Sequence, residues 1–187
     1  MSFVFKPMEI PDVILIEPSV HTDDRGFFAE TYKKTEFIKN GISHEFVQDN
    51  HSYSEKGVIR GLHFQLWPHA QGKLVSVLSG KILDVAVDLR PDSKTFGKWV
   101  SAELSEKNHR MLWIPAGFAH GFLATETSHV VYKVTSEYDR KTEGGIIWND
   151  RDIGIEWPES SPRLSEKDLK LRGFREQAHL FRWSDGQ

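Results

Sequence analysis

Apolar and polar side chains alternate along most of this chain in short runs broken by Gly, Pro, Asn or Asp, which is the period of strands with two unlike faces. The clearest run sets Leu83, Val85, Val87 and Leu89 on one face and Asp84, Ala86 and Asp88 on the other, then stops at Arg90-Pro91-Asp92. Similar runs span Ile14 to Glu17, Phe27 to Tyr32, Phe46 to Ser52, Leu74 to Leu78, Trp99 to Leu104, Arg110 to Ile114, Gly121 to Ala124 and Val130 to Glu137. Helical signals are few. One short helix is predicted after Thr35, stopped by Asn40-Gly41, and another opening at Ser165, where Asp168 three residues on has the form of a capping box. Many short strands with few helices favour an all-β sandwich or closed barrel over a parallel α/β sheet. The absence of repeats, low-complexity tracts and linkers predicts one domain over residues 1–187, with N- and C-terminal extensions packed on the barrel.

Composition narrows the function. A net charge of -3 argues against a general nucleic-acid binder, which needs a basic face, while leaving room for a local basic pocket. The chain has no cysteine, so disulfides, a thiolate nucleophile and a zinc–thiolate site are all excluded. No apolar stretch approaches the length of a membrane span and the first residues do not read as a secretory leader, so a cytoplasmic protein without a membrane partner is expected. Six Trp and twelve Phe fit a well-filled core or a substantial subunit contact.

Strand period then places polar groups. His63 and Gln65 share a face within Arg60-Gly-Leu-His-Phe-Gln65; Gln48, Asn50 and Ser52 share another; Tyr132, Val134, Ser136 and Tyr138 line up on a third. Gly57 to Gln65 and Pro115 to Phe122 are similar to the two signature segments of small metal-binding β-barrels, with the metal ligands missing. A metal needs several imidazoles and carboxylates that converge. Here Gln65 stands in the second ligand position, no glutamate follows at the expected spacing, and the next ionisable group is Lys73, whose ammonium repels a cation. The expected site is a barrel mouth holding a histidine, a lysine and an arginine and no metal. Taken singly, each residue also has a plainer reading. A strand histidine is often a hydrogen-bonded structural group, Lys73 a solvated strand end, Tyr132 and Tyr138 barrel-wall aromatics, Arg25 and Glu30 turn and surface residues, and Asp168 a capping acid.

Six segments in order, Arg25-Gly-Phe-Phe-Ala-Glu30, Gln48-Asp-Asn-His-Ser52, Gly57 to Gln65, Pro115-Ala-Gly-Phe-Ala-His120, Glu143 to Trp148 and Leu164 to Asp168, resemble the dTDP-4-dehydrorhamnose 3,5-epimerase family from about residue 10 to 170. The resemblance implies a jelly-roll cupin barrel with short peripheral helices, a homodimer that exchanges N-terminal strands, and no metal or organic cofactor. It also implies conversion of dTDP-4-dehydro-6-deoxy-D-glucose to dTDP-4-dehydro-L-rhamnose. Residue by residue, His63 matches the family's general base, Asp168 its carboxylate partner, Tyr132 the general acid, and Lys73 the group beside the ketone oxygen. Arg25, Glu30, Gln48, Asp49, Asn50, Arg60, His120, Glu143 and Lys167 match substrate-binding positions, and Tyr138 the ring that stacks on thymine. The chain departs from the family at Phe64, where a Tyr is usual, and at Asp139-Arg140, where a Pro often follows the stacking ring.

Epimerisation beside a ketone requires a base on one face, a group that stabilises the enolate oxygen, and an acid on the other face. His63, Lys73 and Tyr132 are the candidates for these roles. Two other classes remain open from the residues alone: a non-catalytic sugar or nucleotide-binding barrel, and a metal-dependent cupin oxygenase.

Overall fold

A computed structural model describes residues 2–180; Met1 and the last seven positions of the expected 1–187 domain lie outside the described residues. The strands are β1 (Phe3–Pro7), β2 (Ile14–Pro18), β3 (Val20–Asp23), β4 (Gly26–Ala29), β5 (Gln48–Ser54), β6 (Ile59–Gln65), β7 (Lys73–Ser79), β8 (Lys81–Asp88), β9 (Trp99–Ser105), β10 (Met111–Ile114), β11 (Phe118–Ala124), β12 (Ser128–Val134) and β13 (Glu143–Gly145). Helix α1 (Lys34–Lys39) lies between β4 and β5, and α2 (Phe174–Gln177) follows a single 3-10 turn at Asp168–Lys170. One sheet runs β1-β2-β10-β7-β12-β5, the facing sheet runs β13-β6-β11-β8-β9, and β3-β4 form a separate hairpin. This is an all-β barrel, as the run of short strands predicts, with the jelly-roll form that the family resemblance implies.

The main core lies between the two large sheets, where Val75, Leu112, Ile114 and Val130 of one meet Ile82, Val100, Leu104 and Phe122 of the other. Each sheet is also covered outside. Ile146, Ile153 and Phe174 from the C-terminal segment pack on Leu62, Phe64, Val85 and Val87, while α1 places Phe37 against Phe3, Ile16 and Trp113. Burial on two faces explains why β8 is sealed almost throughout, Asp84 and Asp88 included. The apolar face of β8 looks outward into the C-terminal packing, and the face bearing Asp84 and Ala86 looks into the barrel. Two acids on one face of an alternating strand usually mark a solvent face; here they mark the interior.

The predicted first helix ends as expected, with Asn40 at its C-cap and Gly41 at φ +86°, a conformation glycine adopts without steric cost. The second is shorter than predicted. Ser165 Oγ does accept the Asp168 N–H at 3.1 Å, but one 3-10 turn follows rather than a helix, and the Asp168 carboxylate is turned away to His63. Strands β1 and β13, which carry no clear alternation of their own, were not among the predicted runs; they form through pairing with β2 and β6.

A bulge in β6 sets the shape of the site. Between the pairs His120↔His63 and Phe122↔Arg60, β6 spends three steps against two of β11. This brings Arg60 onto the face that carries His63, although strict alternation would separate them. The strands touch closely there, because a Cβ on Gly61 would lie 2.5 Å from the Gly121 Cα, and Gly61 itself sits at φ +126°.

Candidate active site

His63 and Asp168 are 105 positions apart, and the chain joins them by clamping its C-terminal segment alongside β6. Ile59 N–H donates to Arg163 O at 3.0 Å and Arg163 N–H to Gly57 O at 2.8 Å, so residues 164–168 are led across the open end of the barrel. Asp168 Oδ1 then meets His63 Nε2 at 2.6 Å. Burial pushes the Asp168 carboxyl up, but the hydrogen bond and charge of His63, with help from Ser165 and the Gly61 backbone, outweigh this and hold it below the ordinary range. The carboxylate is therefore ionised at neutral pH, and it fixes both the orientation of the imidazole and the nitrogen that carries hydrogen. His63 Nδ1 makes no hydrogen bond to a described protein atom.

The imidazole faces a cavity of about 540 Å³, which is also lined by Arg60, Lys73, His120, Tyr132 and Lys167. A side lobe of about 280 Å³ shares His63, Lys73 and Tyr132 with it and continues to Gln48, Asn50, Tyr138 and Glu143. The arrangement suits an elongated ligand, with reactive groups where the two lobes meet and an aromatic ring at one far end.

Lys73 opens β7 and is buried, and its ammonium makes no ion pair or hydrogen bond among the described residues. Burial lowers its pKa to about 8, against the opposing pull of Asp84 and Glu143, so it remains a cation at neutral pH. Beside it, His120 Nε2 lies 2.7 Å from Asp84 Oδ1. Burial lowers the His120 pKa more than Asp84 raises it, and Lys73 and His63 lower it further. The imidazole is thus neutral and donates to Asp84. The other Asp84 oxygen is buried without a hydrogen-bond partner among the described residues. A buried carboxyl oxygen without a partner is costly in an interior, and Lys73 and His120 are the charge and dipole that face it. Asp84 is the residue that sequence reasoning passed over; its only signal was its place opposite Val85 and Val87.

Tyr132 reaches the cavity from β12, between Asn50 of β5 and Val75 of β7. Burial raises its pKa above the phenol range, against a smaller opposing effect of Arg60, so it stays protonated. Arg60 is braced by Ser54 Oγ and Tyr53 O, each at 2.8 Å. At the far end Glu143 accepts from Tyr138 OH at 2.8 Å and from the Lys167 ammonium. Burial pushes the Glu143 carboxyl up, but these two bonds bring it below its usual value. Gln48 bonds Asn50 and the Tyr138 N–H.

The structure therefore gathers His63, Asp168, Lys73, Tyr132, His120, Arg60, Lys167, Gln48, Asn50, Tyr138 and Glu143 around one two-lobed cavity. Three candidates fall elsewhere. Asp49 sits on the opposite face of β5 from Asn50 and pairs with Lys133 at 2.9 Å. Glu30 lies 3.8 Å from Lys33. Arg25 pairs with Asp23 in the β3-β4 hairpin, whose Phe27 and Phe28 are 62% and 68% exposed. Among the described residues no three His, Cys, Asp or Glu side chains come together as a metal-binding group, and no helix is long and apolar enough to cross a membrane.

The profile of the dTDP-4-dehydrorhamnose 3,5-epimerase family matches residues 7–176. The chain belongs to this family. A 3,5-epimerase of Shigella flexneri is 53% identical over 168 residues, which cover 89% of this chain and 93% of that one. Among solved structures, the dTDP-6-deoxy-D-glucose-3,5-epimerase of Legionella pneumophila in complex with dTDP-4-keto-L-rhamnose superposes with a TM-score of 0.93 at 41% identity, covering 98% of this chain and 100% of the other. A 3'-monoepimerase from Streptomyces bikiniensis in complex with dTDP-quinovose is also similar, with a TM-score of 0.87 at 30% identity over 93% of this chain and 89% of its own. Family membership makes this epimerase an isomerase of the dTDP-sugar, rhamnose-forming class.

Proposed function

We propose that this epimerase converts dTDP-4-dehydro-6-deoxy-D-glucose to dTDP-4-dehydro-L-rhamnose by inverting carbons 3 and 5, with His63 as the base. The supporting observation is the 2.6 Å His63–Asp168 contact at the wall of a cavity that also holds an unpartnered Lys73 and a protonated Tyr132. His63 removes a proton from carbon beside the ketone, and Asp168 stabilises the imidazolium that forms. The electron pair moves onto the ketone oxygen, where the Lys73 ammonium meets the new charge. Tyr132 returns a proton on the other face. Both carbons flank one carbonyl, so one oxyanion site serves both inversions. Each inversion leaves an imidazolium and a phenolate; loss of one proton to solvent from His63 and gain of one by Tyr132 restore both, so the isomerisation closes in atoms and electrons with no net redox change.

Arg60 and Lys167 then serve the diphosphate and Tyr138 the thymine ring. Arg25 and Glu30 belong in this reading to the pocket of a second copy, reached by the exposed β3-β4 hairpin; two apolar rings standing in solvent fit an arm that docks. Sedimentation at micromolar concentration is expected to give a dimer, and an active monomer would remove that element. In this reading the protein is cytoplasmic.

Incubation with the 4-keto sugar nucleotide, followed by NMR of the product, tests the reaction. The L-rhamno configuration is expected; a product inverted at carbon 3 alone would place the chain with the monoepimerase. Tyr132→Phe is expected to slow product formation by about 10²-fold, the scale of a lost general acid, while carbon–hydrogen exchange with solvent is retained in larger part. Equal loss of exchange and product would remove Tyr132 from the acid's role.

A further inference from the structure

Gln65 stands where a metal-holding barrel of this kind places a second ligand, and its carboxamide does something else here. Nε2 donates to His69 O at 2.9 Å and to Glu137 O at 3.3 Å, while Oε1 accepts the Asp139 N–H at 2.8 Å. Both amide hydrogens and the carbonyl are thus spent on backbone, and the side chain is buried. The atoms it holds flank Tyr138 on both sides. Strand β12 ends at Val134, so Tyr138 lies beyond the sheet ladder. The segment is held instead by three glutamines: Gln71 bonds Ser136 O, Gln48 accepts the Tyr138 N–H, and Gln65 bonds residues 137 and 139. Gln65 also ties in the loop that carries His69, so it joins two loops beside the same lobe of the cavity.

We propose that Gln65 is a positioning residue that aims the Tyr138 ring at the nucleotide base, and so sets nucleotide affinity without taking part in proton transfer. The inference rests on the proposed stacking of the base on Tyr138. A carboxamide is the group that fits, because the three backbone partners present two acceptors and one donor. A glutamate would face two carbonyl oxygens with a third acceptor, and a histidine lacks the matching fork of donors.

The test uses the full chain, with Gln65→Met to keep volume and remove all three bonds, and Tyr138→Ala to remove the ring. dTDP binding is measured by calorimetry, and kcat and KM with the 4-keto sugar nucleotide. Gln65→Met is expected to raise the dTDP Kd and the KM by about tenfold, the scale of a lost stacked base, with kcat held within about twofold. Tyr138→Ala should do the same, and the double variant should be no weaker than either. If Tyr138→Ala leaves dTDP binding intact, the stacking itself is wrong and Gln65 positions nothing for the nucleotide. If Tyr138→Ala weakens dTDP while Gln65→Met does not, stacking stands and the Gln65 inference falls. A fall in kcat at constant Kd, or additive losses in the double variant, also overturns it. Should Gln65→Met fail to fold, Gln65→Asn keeps the amide but draws it back from residues 137 and 139, and the same split is expected.

Discussion

His63→Asn is expected to lower kcat/KM by about 10³-fold, within the ~10²–10⁴ range of a positioned general base, and to stop carbon–hydrogen exchange with solvent. The effect should be chemical rather than structural. The ring lies at the cavity wall with its side chain 31% exposed, so its removal leaves no void in the core. The asparagine amide ends near the Nδ1 position, short of the Asp168 carboxylate that His63 Nε2 meets, and has no group that accepts a proton near neutral pH. Binding of dTDP alone should survive, because in the proposed reading Tyr138, Arg60 and Lys167, and not the imidazole, serve the nucleotide. Turnover by His63→Asn with altered affinity only would instead indicate a pocket in which His63 merely hydrogen-bonds its ligand. Calorimetry with dTDP and steady-state kinetics on the same preparation separate the two outcomes.

Lys73→Met is expected to lower kcat by about 10²–10³-fold, the magnitude of one missing oxyanion donor. A pH dependence follows. Burial disfavours the ammonium and brings its pKa to about 8, so the cation is present below that pH and is lost above it. The kcat/KM profile should therefore fall on the alkaline side near pH 8. Lys73→Arg, whose guanidinium does not deprotonate in this range, should be slower but should lose that alkaline fall. An unchanged alkaline limb in Lys73→Arg would assign it to another group. Removing Lys73 also leaves Asp84 facing a neutral side chain, so some loss of stability is expected in Lys73→Met and less in Lys73→Arg.

Alternation along the chain was enough to read most of the strands that build the two sheets, but not β1 and β13, which form through pairing with β2 and β6. It could not tell which face of β8 looks inward. Both faces are covered, one by the other sheet and one by residues 146–174, and local sequence carries no record of what packs on top. Asp84 was missed for that reason. The bulge at Gly61 was equally hidden, since period alone sets Arg60 and His63 on opposite faces and only the pairing with β11 reveals the extra step. Asp168 read locally as a helix cap, and its N–H does bond Ser165. Its carboxylate finds His63 through a contact between distant parts of the chain, and only the family resemblance pointed to that pairing from sequence. Gln65 was legible as a poor metal ligand, but not as the clamp of a loop 72 residues further on. Arg25, Glu30 and Asp49 lie outside the cavity of their own chain, in ion pairs with Asp23, Lys33 and Lys133.

The most direct measurement is proton NMR of the product formed in deuterated water from dTDP-4-dehydro-6-deoxy-D-glucose. The wild-type protein should place deuterium at carbons 3 and 5, and His63→Asn should place it at neither. Incorporation by His63→Asn at the wild-type rate, or wild-type turnover with hydrogen retained at both carbons, would contradict proton removal by His63.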